Sequence, residues 1–353
     1  MGMPNIDLSF SEKAATVVKR GERGIVALIL RDTVGIHKNV FEVLTTTDIS
    51  EWITEDNKKQ INLALMGYVK APKKVLVYVI GAEDEYTAAL KYLETTRFDY
   101  LAIPTVETDG KCAEIATWIK TQRANGKRCK AVLPNYTGDS EGIINYTTEQ
   151  AVEGEIKYTT EQYCARIAGL IAGTPLTIAC TYAPLTELTD CTRLNKEEMD
   201  AAIDAGKFII WHDGEKVKVG RGVNSLTTTT EKKNAQHKKI KIIEATDLIY
   251  DDLVKVIQDS YVGKYANSYN NKCLLLSAIG TYFDSLIKDG ILSSASIEID
   301  VEANKLYLDS KGVDTSEMSD TELKQADTDD KVFLKATIKI LDAIEDVSLP
   351  INI

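Results

Sequence analysis

Residues 331–353 read KVFLKATIKILDAIEDVSLPINI, and two runs of alternation in them set the terms for the rest of the chain. Val332, Leu334, Ala336, Ile338 and Ile340 alternate with Phe333, Lys335, Thr337, Lys339 and Leu341. Period two with one apolar face predicts a β-strand, with Val332, Leu334, Ile338 and Ile340 turned toward a packed surface. Val347, Leu349, Ile351 and Ile353 then alternate with Ser348, Pro350 and Asn352, which predicts a second strand reaching the last residue. Pro350 has no N–H to give to a ladder, so this strand belongs at a sheet edge or in a partner. Terminal residues fray unless something ties them down. An apolar stripe at this position therefore implies a docking surface, either in this chain's own sheet or in a neighbour.

The other end carries the same signature. Ile6, Leu8 and Phe10 alternate with Asp7, Ser9 and Ser11. A polar segment with Gly21 and Gly24 follows, and only then comes the first core strand, residues 25–30 (IVALIL). A continuous apolar run of that length suits a strand buried on both faces. Residues 75–80 (VLVYVI) form a second such run. From there short apolar strands alternate with amphipathic helices. Strands are expected at 100–103, 129–133, 143–146 and 177–180, and helices at 85–95, 111–125 and 159–172. That order predicts βαβ units and a largely parallel sheet covered by helices.

The later part reads differently. Residues 207–211 (KFIIW) and 216–219 flank Asp213-Gly214, a strong hairpin signal. A strand is expected at 239–243, long helices at 247–262 and 272–288, a hairpin around Ala303-Asn304, and a loop over 311–330. The fold class is therefore α/β and α+β, with several domains. The expected division is an N-terminal arm (1–20), a β-rich domain (21–95), an α/β middle domain with a largely parallel sheet (96–206), a C-terminal α+β domain (207–342) and a C-terminal arm (343–353).

Composition excludes more function classes than it suggests. Hydrophobic residues are 44% and charged residues 27%, an ordinary globular balance. No apolar run approaches the ~20 residues of a membrane span, and the start lacks the basic flank and apolar block of a signal peptide. The net charge of −11 opposes a nucleic-acid-binding surface over the chain as a whole. The single basic run, 232–241 (KKNAQHKKIK), reads as a solvated loop and strand edge. The six cysteines include no C-x-x-C pair, which favours reduced core thiols over zinc or disulfides.

Catalytic signatures are absent. There is no phosphate loop and no G-x-S-x-G elbow. His37, His212 and His237 have no histidine partner at i+3 or i+4, so no catalytic, cofactor-binding or metal-ligating residue is assigned. A repeat, INYTTEQ at 144–150 and IKYTTEQ at 156–162, is too short to be a solenoid unit and reads as a local duplication. The segment Gly220-Arg221-Gly222-Val223-Asn224-Ser225 lacks the third glycine of a dinucleotide fingerprint and runs into four threonines. Its glycines allow close backbone approach, Asn224 can bond locally, and Arg221 is a fixed ion-pair donor. It reads as a structural turn.

GRGVNSLT after a hairpin strand resembles the R-G-[IV]-N-[TS]-L-T signature of contractile phage tail sheath proteins. The opening PNIDLSFSEKAATVVKRGERGIVALIL, the DYLAIPT stretch and the KVFLKATIKILDAIEDV tail also resemble the shorter sheaths of Gram-positive phages and phage-tail-like bacteriocins. The large inserted outer domains of long sheaths are missing. The resemblance implies a structural subunit that stacks as hexameric rings around a tail tube, meets baseplate and terminator proteins, and contracts to drive the tube through an envelope. It implies terminal arms that add strands to neighbours, here Ile6, Leu8 and Phe10 at one end and Val347, Leu349, Ile351 and Ile353 at the other. It also implies a tube-facing helix, either 247–262 or 272–288, no cofactor, no nucleic acid, no membrane insertion, and assembly in a bacterial host. The alternative from residues alone is an α/β enzyme or small-ligand-binding protein with an unrecognised site.

Overall fold

The computed structural model describes residues 18, 21, 23–32, 39–231 and 233–352. The chain packs as two units. The first comprises Glu22–Leu248 and Asp342–Ile353; the second takes in Ile249–Leu341 with Val18 and Gly21.

The first unit is built on a seven-stranded sheet. Its strands are β1 (Ile25–Asp32), β2 (Val40–Val43), β3 (Lys74–Gly81), β4 (Tyr100–Ala102), β5 (Lys130–Pro134), β6 (Ile143–Tyr146) and β10 (Lys207–Phe208). The spatial order is β10-β6-β5-β4-β1-β3-β2. Every pairing is parallel except β2 with β3 at the edge. The helices between them are α1 (Glu55–Leu65), α2 (Thr87–Thr95), α3 (Cys112–Ala124) and α4 (Thr160–Ala172). Alternation in β1 sorts the core into two layers. Val26, Leu28 and Leu30 join α1 and α4, whereas Ile25, Ala27 and Ile29 join α2 and α3. This two-sided burial is why β1 and β3 read as unbroken apolar runs.

Glycine sets the spacing of the α1–α4 layer. A Cβ at Gly169 would lie 1.9 Å from the Ala64 carbonyl oxygen, so α4 packs against the backbone of α1. The Thr159–Gln162 capping box starts α4, as its spacing predicts. The repeat copies lead into a hairpin: β7 (Gln150–Glu153) pairs antiparallel with β8 (Ile156–Thr159), and β9 (Asp190–Cys191) joins β7. Further along are α5 (Lys196–Asp204) and the hairpin of β11 (Ile210–His212) with β12 (Val217–Val219), turned at Gly214 with φ +106°.

Helix α6 (Ile240–Val256) begins in the first unit and ends in the second, the division falling after Leu248. The second unit continues it as a π turn, Ile257–Tyr261. It then holds α7 (Tyr269–Lys288), β13 (Leu292–Ile299), α8 (Val301–Ser310), α9 (Asp320–Gln325) and β14 (Leu334–Ile340). β13 and β14 make a two-stranded antiparallel sheet against α7. Leu334, Ile338 and Ile340 lie in β14; Val332 precedes it and is largely exposed.

Several local expectations are corrected. Residues 177–180 form no strand but a loop closed by Ile178 N–H to the Pro175 carbonyl and Ala183 N–H to that of Cys180. Residues 240–243 open α6 rather than a strand, because Glu244 and Asp247, one helical turn on, find buried cationic partners. The hairpin at 303–304 is replaced by α8, capped by Asp300 accepting from Ala303 N–H, and β13 pairs with β14 instead. The loop over 311–330 contains α9, which Ser319 and Glu322 cap reciprocally. The seven-stranded sheet takes strands from residues 21–95, 96–206 and 207–342 alike.

Candidate functional site

The GRGVNS segment forms a turn that three other stretches meet. Gly220 N–H donates to the Ile209 carbonyl at 2.8 Å, and Tyr182 N–H to the Gly220 carbonyl at 3.4 Å. Gly222 N–H donates to Thr181 Oγ1 at 3.0 Å, and Ile240 N–H to the Gly222 carbonyl at 2.9 Å. Both glycines are required by crowding rather than by a left-handed φ. A Cβ at Gly220 would sit 2.9 Å from Ile209 Cγ1, and one at Gly222 would sit 2.8 Å from Cys180 Sγ. Asn224 is fully buried; its Nδ2 donates to the His237 carbonyl at 2.7 Å and its Oδ1 accepts from Leu226 N–H at 3.0 Å. The turn therefore joins β12, the loop before β9 and the entry to α6.

Arg221 points from this turn to the C-terminal segment. Its Nη2 is 2.5 Å from Asp346 Oδ2 and its Nε 3.2 Å from Glu345 Oε2. Thr181 Oγ1 donates to Glu345 Oε1 at 2.5 Å. Lys239 bonds Asp342 and lies 3.5 Å from Glu345. The Glu345 side chain is only 6% exposed. The hydrogen bond to Asp346 raises the Arg221 pKa. Burial acts to raise the Asp342 carboxyl, but the Lys239 ammonium outweighs it and holds the group below its ordinary range. Asp342, Glu345 and Asp346 thus hold the start of the C-terminal segment by charge. Beyond them the chain has no strand partner within the described residues. Val347, Leu349 and Ile351 are 75–79% exposed, and Ile344, between Asp342 and Glu345, is 90% exposed. Ile353, Ile6, Leu8 and Phe10 lie outside the described residues.

The same entry to α6 carries a buried ion network. Glu244 is bonded by Arg23, by Lys130 Nζ at 2.8 Å and by Tyr100 Oη at 2.5 Å. Asp247 takes Lys130 at 2.8 Å and Arg123 through both guanidinium nitrogens at 2.9 and 3.0 Å. Burial pushes the Glu244 carboxyl up, yet Arg23 and Lys130 more than reverse this and hold it at about 2. Burial likewise pulls the Lys130 ammonium down, but Asp247 and Glu244 raise it above its ordinary value. Every charge in the network is paired, the condition under which a buried ion is tolerated. Sequence reading missed it because its members are scattered from residue 23 to residue 247. Their one local signal is a pair of acids three apart on the apolar opening of α6.

Of the basic run, Lys233 pairs with Glu141 at 2.8 Å and Lys239 with Asp342; Lys232 lies outside the described residues. Among the described residues no group of three or more His, Cys, Asp or Glu side chains could hold a metal ion, and no helix is long and apolar enough to cross a membrane.

Residues 80–225 match the phage tail sheath protein central domain, and residues 232–353 match the phage tail sheath C-terminal domain. A tail sheath protein of Clostridium phage phiCD119 is 36% identical over 358 residues, covering 99% of each chain. The chain belongs to the phage tail sheath protein family. This sheath subunit is a structural protein of a phage tail or tail-like particle, not an enzyme. The phage-like element PBSX protein XkdK of Bacillus subtilis is 28% identical over 278 residues, with 69% of this chain and 60% of that one covered. Two solved structures share the sheath fold. The sheath tail protein of Desulfitobacterium hafniense gives a TM-score of 0.70 at 19% identity over 84% of this chain and 94% of that one. The helical sheath of the anti-feeding prophage in its contracted state gives 0.73 at 14% identity over 100% and 99%.

Proposed function

We propose that this sheath subunit polymerises as stacked hexameric rings around a tail tube, between baseplate and terminator proteins, and that contraction of the lattice drives the tube through a bacterial envelope. Assembly takes place in the host cytoplasm. The observation that carries the reading is the C-terminal segment: a root fixed by charge, followed by a strand-forming stripe with no strand partner among the described residues. Burying Val347, Leu349 and Ile351 in a neighbour is worth roughly 1.5–3 kcal/mol per side chain. The β13–β14 pair supports strand addition as the mode, because a two-stranded sheet leaves two edges to extend. The arm's interface is heterologous, and such interfaces give open helical polymers unless the rotation closes.

Negative-stain microscopy and sedimentation of the purified protein test this. The full chain is expected to form hollow tubes, alone or on addition of its tube protein. A chain lacking residues 347–353 is expected to stay folded and small. Tubes of normal length from the truncated chain would overturn the role of the arm.

A further inference from the structure

The two ends of the first unit's chain meet at one place. Arg23, which leads from the N-terminal segment into β1, donates from Nη1 to the Thr174 carbonyl at 2.7 Å and bonds Glu244 on α6. Seven residues after Thr174 in the same loop, Thr181 holds Glu345 of the C-terminal root. Lys239, five residues before Glu244, holds Asp342 and Glu345. Arg23, Thr174, Cys180, Lys241 and Glu244 line one small cleft. Cys180 lies between the two sets of charges. Burial pushes its thiol up to about 12, and Glu345, Glu244 and Arg23 all act on it electrostatically.

We infer that the loop 174–182 and the entry to α6 form a common anchor for both arms, to which the N-terminal segment is fixed through Arg23 and the C-terminal segment through Glu345. The inference rests on the reading of both terminal segments as arms. It adds that the arms are coupled inside each subunit. A pull on the C-terminal arm reaches Thr181, Lys239 and Arg221. From there it passes through one loop and one helical turn to Arg23, without crossing the seven-stranded sheet. Ion pairs suit this task because they tolerate small rotations of the bonded groups better than interdigitated core packing does. Gly24 and Ile25, next to Arg23, both donate their N–H groups to Asp99 Oδ2 at 2.7 Å, so β1 begins at this anchor.

Hydrogen–deuterium exchange on the soluble subunit tests the coupling without requiring polymers. Asp342→Asn, Glu345→Gln and Asp346→Asn together neutralise the C-terminal root and leave the turn and the loop unchanged. Exchange is expected to rise about 10-fold at amides of 178–182 and also at Gly24 and Ile25. A truncation after Asp346 is expected to leave both unchanged. A rise confined to residues 342–346 would overturn the common anchor. Should the triple variant fail to give a cooperative thermal transition, Glu345→Gln alone is measured, with the same two outcomes. Wild-type protein that never polymerises, with or without its tube, would overturn the sheath-arm reading while leaving the exchange result intact.

Discussion

Arg221 Nη2 lies 2.5 Å from Asp346 Oδ2, and this contact spans 125 positions of sequence. It fixes where the C-terminal segment leaves the body, one residue before the exposed stripe starts at Val347. A turn that the sequence offers as a local backbone device therefore has a distant side-chain partner.

Arg221→Ala is expected to cost about 1–2 kcal/mol: the exposed pair with Asp346 contributes about 0–1 kcal/mol, and the nearly buried Glu345 carboxylate loses one cation but keeps Thr181 and Lys239. Thermal unfolding should move by only a few degrees. Polymer yield at low salt should fall, whereas Arg221→Lys should retain part of it. A wild-type yield from Arg221→Ala would separate the ion pair from assembly.

Lys130→Met should behave in the opposite way. It removes the cation shared by Glu244 and Asp247 at 2.8 Å each, in a site where all three side chains are below 10% exposure. Breaking a buried pair costs about 3–5 kcal/mol. Arg23 and Arg123 remain, so roughly 3 kcal/mol is expected, read as a lower denaturant midpoint with an unchanged slope.

Gly169→Ala places a methyl group 1.9 Å from the Ala64 carbonyl oxygen, a backbone atom that cannot rotate away. Helices α1 and α4 must then separate. A loss of about 2–3 kcal/mol or more is expected, at the upper end of overpacking effects. Gly280, with open space around its Cβ position, is the control, and Gly280→Ala should be neutral or slightly stabilising.

Acid should weaken the first unit through Glu244. Its folded pKa, about 2, lies below the ordinary 4.5. A depressed carboxyl contributes stability that is complete above its unfolded value and is lost as pH falls through the folded one. The thermal midpoint should therefore decline from pH 4.5 down to about 2, and Glu244→Gln should flatten part of that decline. A midpoint independent of pH over that window would remove Glu244 as its source.

Leu349→Asp leaves the folded subunit unchanged, since the side chain is 75% exposed. If a neighbour buries it, the substitution costs the interface about 2–3 kcal/mol, or roughly a 30- to 150-fold rise in the concentration needed for polymers. Pelleting assays across a dilution series read this directly.

Alternation and apolar runs made β1, β3 and the parallel order of the sheet legible, because two-sided burial leaves a local mark in sequence. Capping chemistry did the same for α4. Two of the failures share a cause. Residues 240–243 and 301–308 are short apolar stretches that fit either period, and a buried ion partner in one case and an Asp300 cap in the other decided for helix. The GRGVNS turn was readable as crowded backbone. Its partners were not, because Glu345 and Asp346 sit between the two alternating stretches, where no local pattern names a partner.

By itself the sequence determined the class of fold, the absence of catalytic signatures and the apolar stripe at each end, all of which follow from periodicity and composition within short windows. Only the tertiary structure decided that α6 opens on paired charges, that one sheet gathers strands from three expected domains, and that Arg23 and Glu345 are held at one loop. Those are pairings between residues far apart in the chain, and the energy of an ion pair depends on distance in space and on burial, neither of which a local pattern encodes.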